Sequence, residues 1–142
     1  SHQRLMTASV KYLKLGLDPT FIVIGSKNVT APGPGAAAYS VAKAGLTQMA
    51  RVAALELGQE GIRVNVLHPN QVFDTAIWTQ EILEKRAKSY QMTIAEYKTS
   101  NILKTEITTD NVAELVCTMA GKAFSKTTGA QIPIDGGNDR VI

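Results

Sequence analysis

Two short, largely apolar runs constrain the fold of this chain most, FIVIG at positions 21–25 and IRVNVL at positions 62–67. A short apolar run of this kind suits a strand of a parallel sheet, where helices cover both faces. Between the runs lies a long alanine-rich segment, Ala37 to Leu57, which is predicted to be a helix. Because a helix that joins two strands favours a parallel sheet with right-handed crossovers, the sequence predicts an α/β fold.

The rest of the chain continues this alternation of strands and helices. The further predicted elements are a helix over 3–16, a loop at 32–35, two polar helices within 79–101 broken near 91–93, a helix over 110–120 capped by Thr108 or Thr109, and a third strand over 131–135. Three strands are few for such a sheet, and an edge strand would leave backbone groups unpaired. We therefore expect about three parallel strands with flanking helices.

Composition and charge exclude several classes of function. Of the 142 residues, 44% are hydrophobic and 19% charged, as in ordinary globular proteins. The 15 Lys and Arg are scattered against 12 Asp and Glu, which argues against a nucleic-acid partner. No apolar run approaches the roughly 20 residues that span a membrane, and no secretion signal begins the chain, so we expect a cytoplasmic protein. Cys117, the one cysteine, is predicted to be a buried, inert thiol.

A phenol and an ammonium are spaced for joint chemistry in the stretch APGPGAAAYSVAKAG. Tyr39 and Lys43 are four residues apart, so a helix carries both side chains on one face. Ser26 lies thirteen positions before Tyr39, directly after the first apolar run. A phenol has a reference pKa of about 10, too high for proton transfer near neutral pH, and a fixed positive charge nearby favours the phenolate. Together the three residues predict alcohol–carbonyl redox chemistry.

Each of these residues taken alone has a plainer explanation. A tyrosine four residues before a lysine is a weak motif, which a helix surface produces by chance. Ser26 alone would more often be a strand-end hydroxyl that bonds to backbone. The buried strand before Ser26, the helix around Tyr39 and the DGG that follows the third strand favour a common site.

At these residues the chain resembles the short-chain dehydrogenase/reductase family. RVNVLHPN matches the strand and turn after the family's catalytic helix, and TGAQIPIDGG matches its last strand and closing glycines. The segments GSKN, APGPGAAAYSVAKAG and HPNQVFDTAIW, with the ending GGNDRVI, are more similar still to one subgroup. That subgroup comprises bifunctional proteins that join a rhamnulose-1-phosphate aldolase to a C-terminal alcohol dehydrogenase. The resemblance implies the C-terminal portion of a Rossmann-like, doubly wound parallel sheet.

The resemblance also implies roles for particular residues, with NAD or NADP as cofactor. Ser26, Tyr39 and Lys43 fall on the family's catalytic serine, tyrosine and lysine. The implied cofactor-binding residues are Tyr39, Lys43, Pro69, Asn70, Val72 and Thr75. The family's Pro-Gly turn is Pro69-Asn70 here, and Asn tolerates positive φ better than most residues. The family's threonine after this turn would fall at Asp74, one place before Thr75.

The family's N-terminal half carries TGxxxGxG, the residue that selects NAD or NADP, and a catalytic asparagine, and this chain has no counterpart to that half. We therefore expect residues 1–142 to be a single partial domain that needs the N-terminal half as a partner and binds no cofactor alone. The intact protein would oxidise a small alcohol or hydroxyaldehyde, lactaldehyde being the obvious candidate. Family members associate through the catalytic helix and the last strand, which implies a homo-oligomer.

Two other functions remain compatible with the sequence. The alanine-rich helix and the third strand could serve assembly without catalysis, and the same Tyr–Lys pair could support epimerase or dehydratase chemistry. A metal site is not expected, because His2 and His68 are the only histidines. His68, next to Pro69, is predicted to be a turn residue.

Overall fold

The computed structural model describes residues 2–138, and its centre is a three-stranded parallel sheet. The strands are β1 (Thr20–Ile24), β2 (Arg63–Pro69) and β3 (Gln131–Ile134), and β2 lies between the other two. The predicted α/β architecture with three parallel strands is therefore confirmed, and β1 and β3 are the two edge strands of the described sheet. The last residues of the GGNDRVI ending lie outside the described residues.

Five α-helices accompany the sheet within residues 2–138. They are α1 (His2–Leu13), α2 (Ala37–Leu57), α3 (Gln80–Ser89), α4 (Ile94–Lys98) and α5 (Thr109–Ala120). Helix α2 has the predicted bounds, and Thr108 caps α5 by accepting a hydrogen bond from Asn111 N. The two polar helices predicted after β2 are α3 and α4, and Thr93 caps the second of them.

Helices cover both faces of the sheet. On one face, α1 and α2 enclose a core of Met6, Val23, Leu46, Ala50, Ala53, Ala54, Val64 and Val66. On the other face, the buried Arg63 side chain donates to the carbonyl oxygens of Met119, Ala120 and Phe124 at 3.0 to 3.1 Å. Since helices leave their last carbonyl groups unpaired, Arg63 fixes the end of α5 against the strands. The sheet is therefore wound on both faces, as the resemblance implied.

The packing of aromatic side chains fixes the loop after β2. The ring of Phe73 lies edge-on to Trp78 at 4.9 Å and to Tyr97 at 5.5 Å between centroids. Phe73 and Tyr97 are buried together with Leu83 of α3, so this loop, α3 and α4 share a second small core. This packing fixes the segment that follows the end of β2.

The prediction that Cys117 is buried is wrong. Cys117 is exposed, whereas Met119, two residues later on α5, has no exposed surface. Residues two apart on a helix point in different directions, and the buried direction of α5 is that of Met119. Among residues 2–138, none of the helices combines the length and the apolar character needed to cross a bilayer.

Candidate active site

Ser26 lies at the carboxyl edge of the sheet, the edge at which the parallel strands β1, β2 and β3 end. The ladder between β1 and β2 continues one residue past β1, because Gly25 N donates to Leu67 O at 2.7 Å. Ser26 follows, is buried, and accepts a hydrogen bond on Oγ from Asn28 N at 3.2 Å. The hydroxyl thus caps a short 3₁₀ turn and keeps its own proton to donate elsewhere.

Tyr39 and Lys43 point to the same side of α2. The Lys43 Nζ lies 5.9 Å from the centroid of the Tyr39 ring, as the four-residue spacing predicted. The same ammonium donates to Ile24 O, the last carbonyl group of β1, at 2.9 Å. Tyr39 is 49% exposed, so its phenol is open to a ligand. The structure therefore brings the pair to the strand end that leads into Ser26.

The predicted cofactor-binding residues after β2 lie at this carboxyl edge or just beyond it. Pro69 ends β2 and pairs with Ile134, and the N–H of Asn70 donates to Ile134 O at 3.2 Å. Val72 forms an isolated parallel bridge with Ile107. The hydroxyl of Thr75 donates to Val72 O at 3.0 Å, which closes the loop on itself.

The turn after β2 differs in one respect from the sequence expectation. Positive φ occurs at Gln71, with φ of 51°, and not at Asn70. The physical reason is that the Asn70 N–H still bonds to β3, which keeps this residue in the ladder. The turn therefore begins one residue later, and the Asn138 side chain donates to Oε1 of Gln71 there.

Asp74, the position that the resemblance assigns to the family's threonine, binds the first residue of α5. Its carboxylate accepts from Thr109 N at 3.0 Å and from Thr109 Oγ1 at 2.7 Å. The side-chain bond first, and the backbone bond next, hold the pKa of the Asp74 carboxyl below its usual value. The helix dipole favours a negative charge at this end as well. Asp74 thus has a structural role, whereas the hydroxyl of the next residue, Thr75, bonds within its own loop to Val72 O.

Replacing Asp74 by Asn should reduce stability in a pH-dependent way. The pKa of Asp74 is lowered in the folded state, so its contribution is present above the unfolded pKa and is lost as pH falls through the folded pKa. Thermal unfolding should be measured between about pH 7 and about pH 3. At neutral pH the Tm of Asp74→Asn should lie below that of the unmodified chain, and this difference in Tm should become smaller as the pH falls.

The matched control is Asp110→Asn, which removes a negative charge from the first turn of α5 but leaves the hydrogen bonds between Asp74 and Thr109 in place. A difference in Tm between Asp74→Asn and the unmodified chain that stays constant with pH would contradict the stabilising role of the ionised Asp74 carboxylate.

Sequence reasoning missed His68 as a neighbour of the site. His68 is not a turn residue as predicted; it lies within β2, pairs with Pro133 of β3 and is 5% exposed. The strand extends this far because β3 supplies its backbone partners, which no local pattern reveals. The ring Nδ1 lies 3.1 Å from Ser26 N and 2.9 Å from Ser26 O.

A glycine makes room for this histidine. A Cβ at Gly25 would lie 2.6 Å from Nδ1 of His68 and 2.9 Å from Val66 Cγ1, closer than side chains tolerate. The glycine before Ser26 was the sequence signal for a close approach, although it could not name the partner.

Substituting Gly25 by Ala should therefore lower the free energy of unfolding by about 2 kcal/mol, since overpacking of this kind costs about 1–3 kcal/mol. Urea unfolding of the chain measures the change. Gly45→Ala is the control, because a Cβ there meets nothing within 4 Å. In the interior of α2 this control should stabilise by up to about 1 kcal/mol. Equal stability of the Gly25 variant and the unmodified chain would refute the clash.

A buried ion pair, which the sequence also did not reveal, joins the segments after β1 and β3. Lys27 Nζ lies 3.0 Å from Asp135 Oδ2, and the two side chains are 9% and 8% exposed. Asp135 also accepts from Gly137 N at 2.8 Å. Because Lys27 follows Ser26 directly, this pair ties the segment of the serine to the closing glycines.

Comparison with known protein families indicates the same class of chemistry, oxidation and reduction, as the geometry of the candidate site. A family profile described as enoyl-(acyl carrier protein) reductase matches residues 1–139. The chain is 37% identical over 123 residues to the uncharacterized oxidoreductase YuxG of Bacillus subtilis, covering 83% of the chain and 18% of YuxG. It is 33% identical over 119 residues to the short chain dehydrogenase/reductase astE of Aspergillus oryzae, covering 83% of the chain and 43% of astE.

Solved structures share the fold. L-sorbose reductase from Gluconobacter frateurii superposes with a TM-score of 0.84 at 20% identity, over 99% of the chain and 55% of that protein. An oxidoreductase of the short-chain dehydrogenase/reductase family from Burkholderia thailandensis is 32% identical, with a TM-score of 0.71 over 94% of the chain and 48% of that protein. The chain thus spans about half the length of most of these relatives and a smaller share of YuxG. The chain belongs to the short-chain dehydrogenase/reductase family of NAD(P)-dependent oxidoreductases.

Proposed function

We propose that the protein oxidises a small alcohol or hydroxyaldehyde at the carboxyl edge of the sheet, with NAD or NADP as hydride acceptor. The observation that carries this proposal is the position of Lys43. Its ammonium lies on the Tyr39 side of α2 and binds the last carbonyl of β1, two residues before Ser26. A phenol, an ammonium and a hydroxyl thereby reach one edge from two different elements.

Each side chain has a distinct task in this reaction. The Tyr39 phenolate accepts the proton of the alcohol, and in the reverse direction the phenol returns it to the carbonyl oxygen. Ser26 Oγ, which already accepts from Asn28 N, donates its own proton to the substrate oxygen and holds it. Lys43 supplies a positive charge beside the phenol, fixed in place by its bond to Ile24 O.

The residues present fit the nicotinamide end of a dinucleotide. An ammonium has three N–H donors, and Lys43 gives one to Ile24 O. The remaining donors can bind ribose hydroxyls while Val72 and Thr75 line the neighbouring strand end. When bound, the cofactor supplies the hydride acceptor. A segment outside these 142 residues would bind its phosphates, since the sequence carries no TGxxxGxG.

The 142-residue chain on its own should therefore show no alcohol oxidation with NAD or NADP. Hydride transfer requires a bound nicotinamide, and the sequence carries no TGxxxGxG to bind its phosphates. Absorbance of the reduced nicotinamide measures turnover. Oxidation of any small alcohol by the isolated chain, abolished by Tyr39→Phe, would contradict this prediction.

For the substrate we propose a small hydroxyaldehyde, with lactaldehyde as first candidate, in a protein that also carries a sugar-phosphate aldolase domain. The support is the likeness of GSKN and HPNQVFDTAIW to the dehydrogenase half of the bifunctional subgroup. YuxG is long enough for further domains, since the chain covers 18% of it. The full-length protein should turn over lactaldehyde with NAD or NADP. Turnover of other small alcohols without lactaldehyde would reject this substrate and leave the redox proposal intact.

A second function, assembly, is favoured by a stripe of exposed apolar side chains on α2. Val41, Val52 and Leu55 are 72%, 42% and 79% exposed, and their spacing places them along one face of the helix. Exposed apolar stripes of this kind mark interaction surfaces. We propose that this stripe joins two copies of the chain. Light scattering should show a dimer that Val41→Lys dissociates; a strictly monomeric, folded chain at high concentration would reject this.

A further inference from the structure

The environment of His68 differs from that of an ordinary strand residue, because its ring Nδ1 lies within hydrogen-bond distance of both the backbone nitrogen and the backbone oxygen of Ser26. The backbone ladder between β1 and β2 ends where Gly25 N donates to Leu67 O. The next N–H, that of Ser26, is bound by Nδ1 of His68 at 3.1 Å. The ring is buried, and the absence of a side chain at Gly25 allows it to approach. The N–H of Ser26 therefore donates to a side chain, whereas the N–H of the preceding residue donates to a backbone carbonyl group.

Gln131 selects the tautomer of this histidine. Oε1 of Gln131 lies 2.8 Å from Nε2 of His68, and the Gln131 amide nitrogen faces Gly129 O at 3.5 Å. With the proton on Nε2, the ring donates to Gln131 and its Nδ1 lone pair accepts the Ser26 N–H. With the proton on Nδ1, the ring would donate to Ser26 O, and both the Ser26 N–H and Gln131 Oε1 would lose a partner. With the Gln131 amide in this orientation, the Nε2–H form satisfies both Gln131 Oε1 and the Ser26 N–H but leaves the Nδ1 lone pair 2.9 Å from Ser26 O, whereas the Nδ1–H form satisfies Ser26 O alone.

We propose that His68, held in its Nε2–H tautomer by Gln131, is a positioning residue for Ser26. It fixes the backbone of Ser26, and so the direction of Oγ, toward the edge where Tyr39 and Lys43 lie. His68 makes no contact with the substrate in this scheme; it acts through the serine. The kinetic part of this inference rests on the proposed redox function, whereas the tautomer and the hydrogen bond do not.

The tautomer is tested on the 142-residue chain by nitrogen–proton correlation spectra of the histidine side chains. We expect His68 to show the Nε2–H pattern. Gln131→Met, which removes the acceptor at similar length, should shift the ring toward a mixture of tautomers. An Nδ1–H pattern in the unmodified chain, or a pattern that Gln131→Met leaves unchanged, would overturn the assignment.

The bond to Ser26 is tested by a matched pair of variants. In Asn, the amide oxygen is as many bonds from the backbone as Nδ1 is in His, whereas the Gln amide is one bond further out. His68→Asn can therefore accept the Ser26 N–H, and His68→Gln cannot do so at the same position. Hydrogen exchange of the Ser26 amide in the chain should stay slow in His68→Asn and become faster in His68→Gln. Equal exchange in the two variants would overturn the proposal.

Kinetics of the full-length protein test the effect on the serine. His68→Gln should lower kcat about 10-fold with the KM for the dinucleotide unchanged, as expected for a misplaced catalytic group, and His68→Asn should restore most of the loss. In a Ser26→Ala background, His68→Gln should cause little further loss, because the two residues act as one unit. Losses that multiply independently would overturn the positioning role. Full activity of Ser26→Ala itself would instead refute the proposed function and leave the tautomer result standing.

Discussion

Replacing Tyr39 by Phe in the full-length protein should lower kcat/KM for the alcohol substrate by about 10²- to 10⁴-fold, the usual contribution of a positioned general acid–base. The substitution removes one oxygen atom and leaves the ring, which Lys43 approaches to 5.9 Å from its centroid. Packing on α2 should change little, because the Tyr39 side chain is 49% exposed. The loss should therefore appear in turnover and not in stability, measured by initial rates beside thermal unfolding.

The chain contains a matched control for this substitution. Tyr12 on α1 is 66% exposed and also has a lysine near its ring, with Lys11 Nζ 4.8 Å from the centroid. Tyr12→Phe makes the same chemical change beside the same kind of charge, and we expect activity within about 2-fold of the unmodified protein. A Tyr39→Phe variant that is as active as Tyr12→Phe would remove the basis of the redox assignment.

Replacing Asp135 by Asn should lower the free energy of unfolding by about 3 kcal/mol or more, because removing one partner of a buried ion pair costs about 3–5 kcal/mol. Asn keeps the shape of Asp but replaces the carboxylate that lies 3.0 Å from the Lys27 ammonium with a neutral amide. Both side chains are less than one-tenth exposed, so water does little to compensate. Urea unfolding of the 142-residue chain measures the loss.

An exposed pair in the same chain provides the comparison. Lys14 and Glu60 are 2.7 Å apart, but their side chains are 43% and 46% exposed, and Glu60→Gln should cost less than about 1 kcal/mol. If Asp135→Asn does not fold at all, the double variant Lys27→Met with Asp135→Leu should recover a folded chain, because an apolar pair can replace a buried ion pair. Similar small losses for Asp135→Asn and Glu60→Gln would show that burial does not strengthen the pair.

The helices and the apolar strands could be predicted because their signals are local. Helix α2 begins at Ala37 and ends at Leu57, as its alanine-rich composition and flanking glycines predicted. Strand β1 was marked by its continuous apolar run and helix α5 by its capping threonine, Thr108. Strand β2 extends beyond its predicted end, as far as Pro69. It does so because it pairs with β3, and this pairing adds backbone hydrogen bonds that the sequence of β2 does not indicate.

The contacts of the candidate site also divide into local ones, which the sequence predicted, and long-range ones, which it did not. The four-residue spacing of Tyr39 and Lys43 placed their side chains together, since a helix turn relates them directly. The partner of Ser26 could not be found in this way, because His68 is 42 residues away along the chain. Cys117 was assigned to the core from apolar neighbours in sequence, but the orientation of α5 exposes it.

The sequence by itself determined the α/β class, most element positions and the one pair of site residues that share a helical turn, because hydrophobic periodicity and capping act over a few residues. Tertiary structure decided which groups meet at the carboxyl edge: Lys43 with the end of β1, His68 with Ser26, and Lys27 with Asp135. Those contacts depend on strand order and register, which bring together residues that no short-range pattern relates.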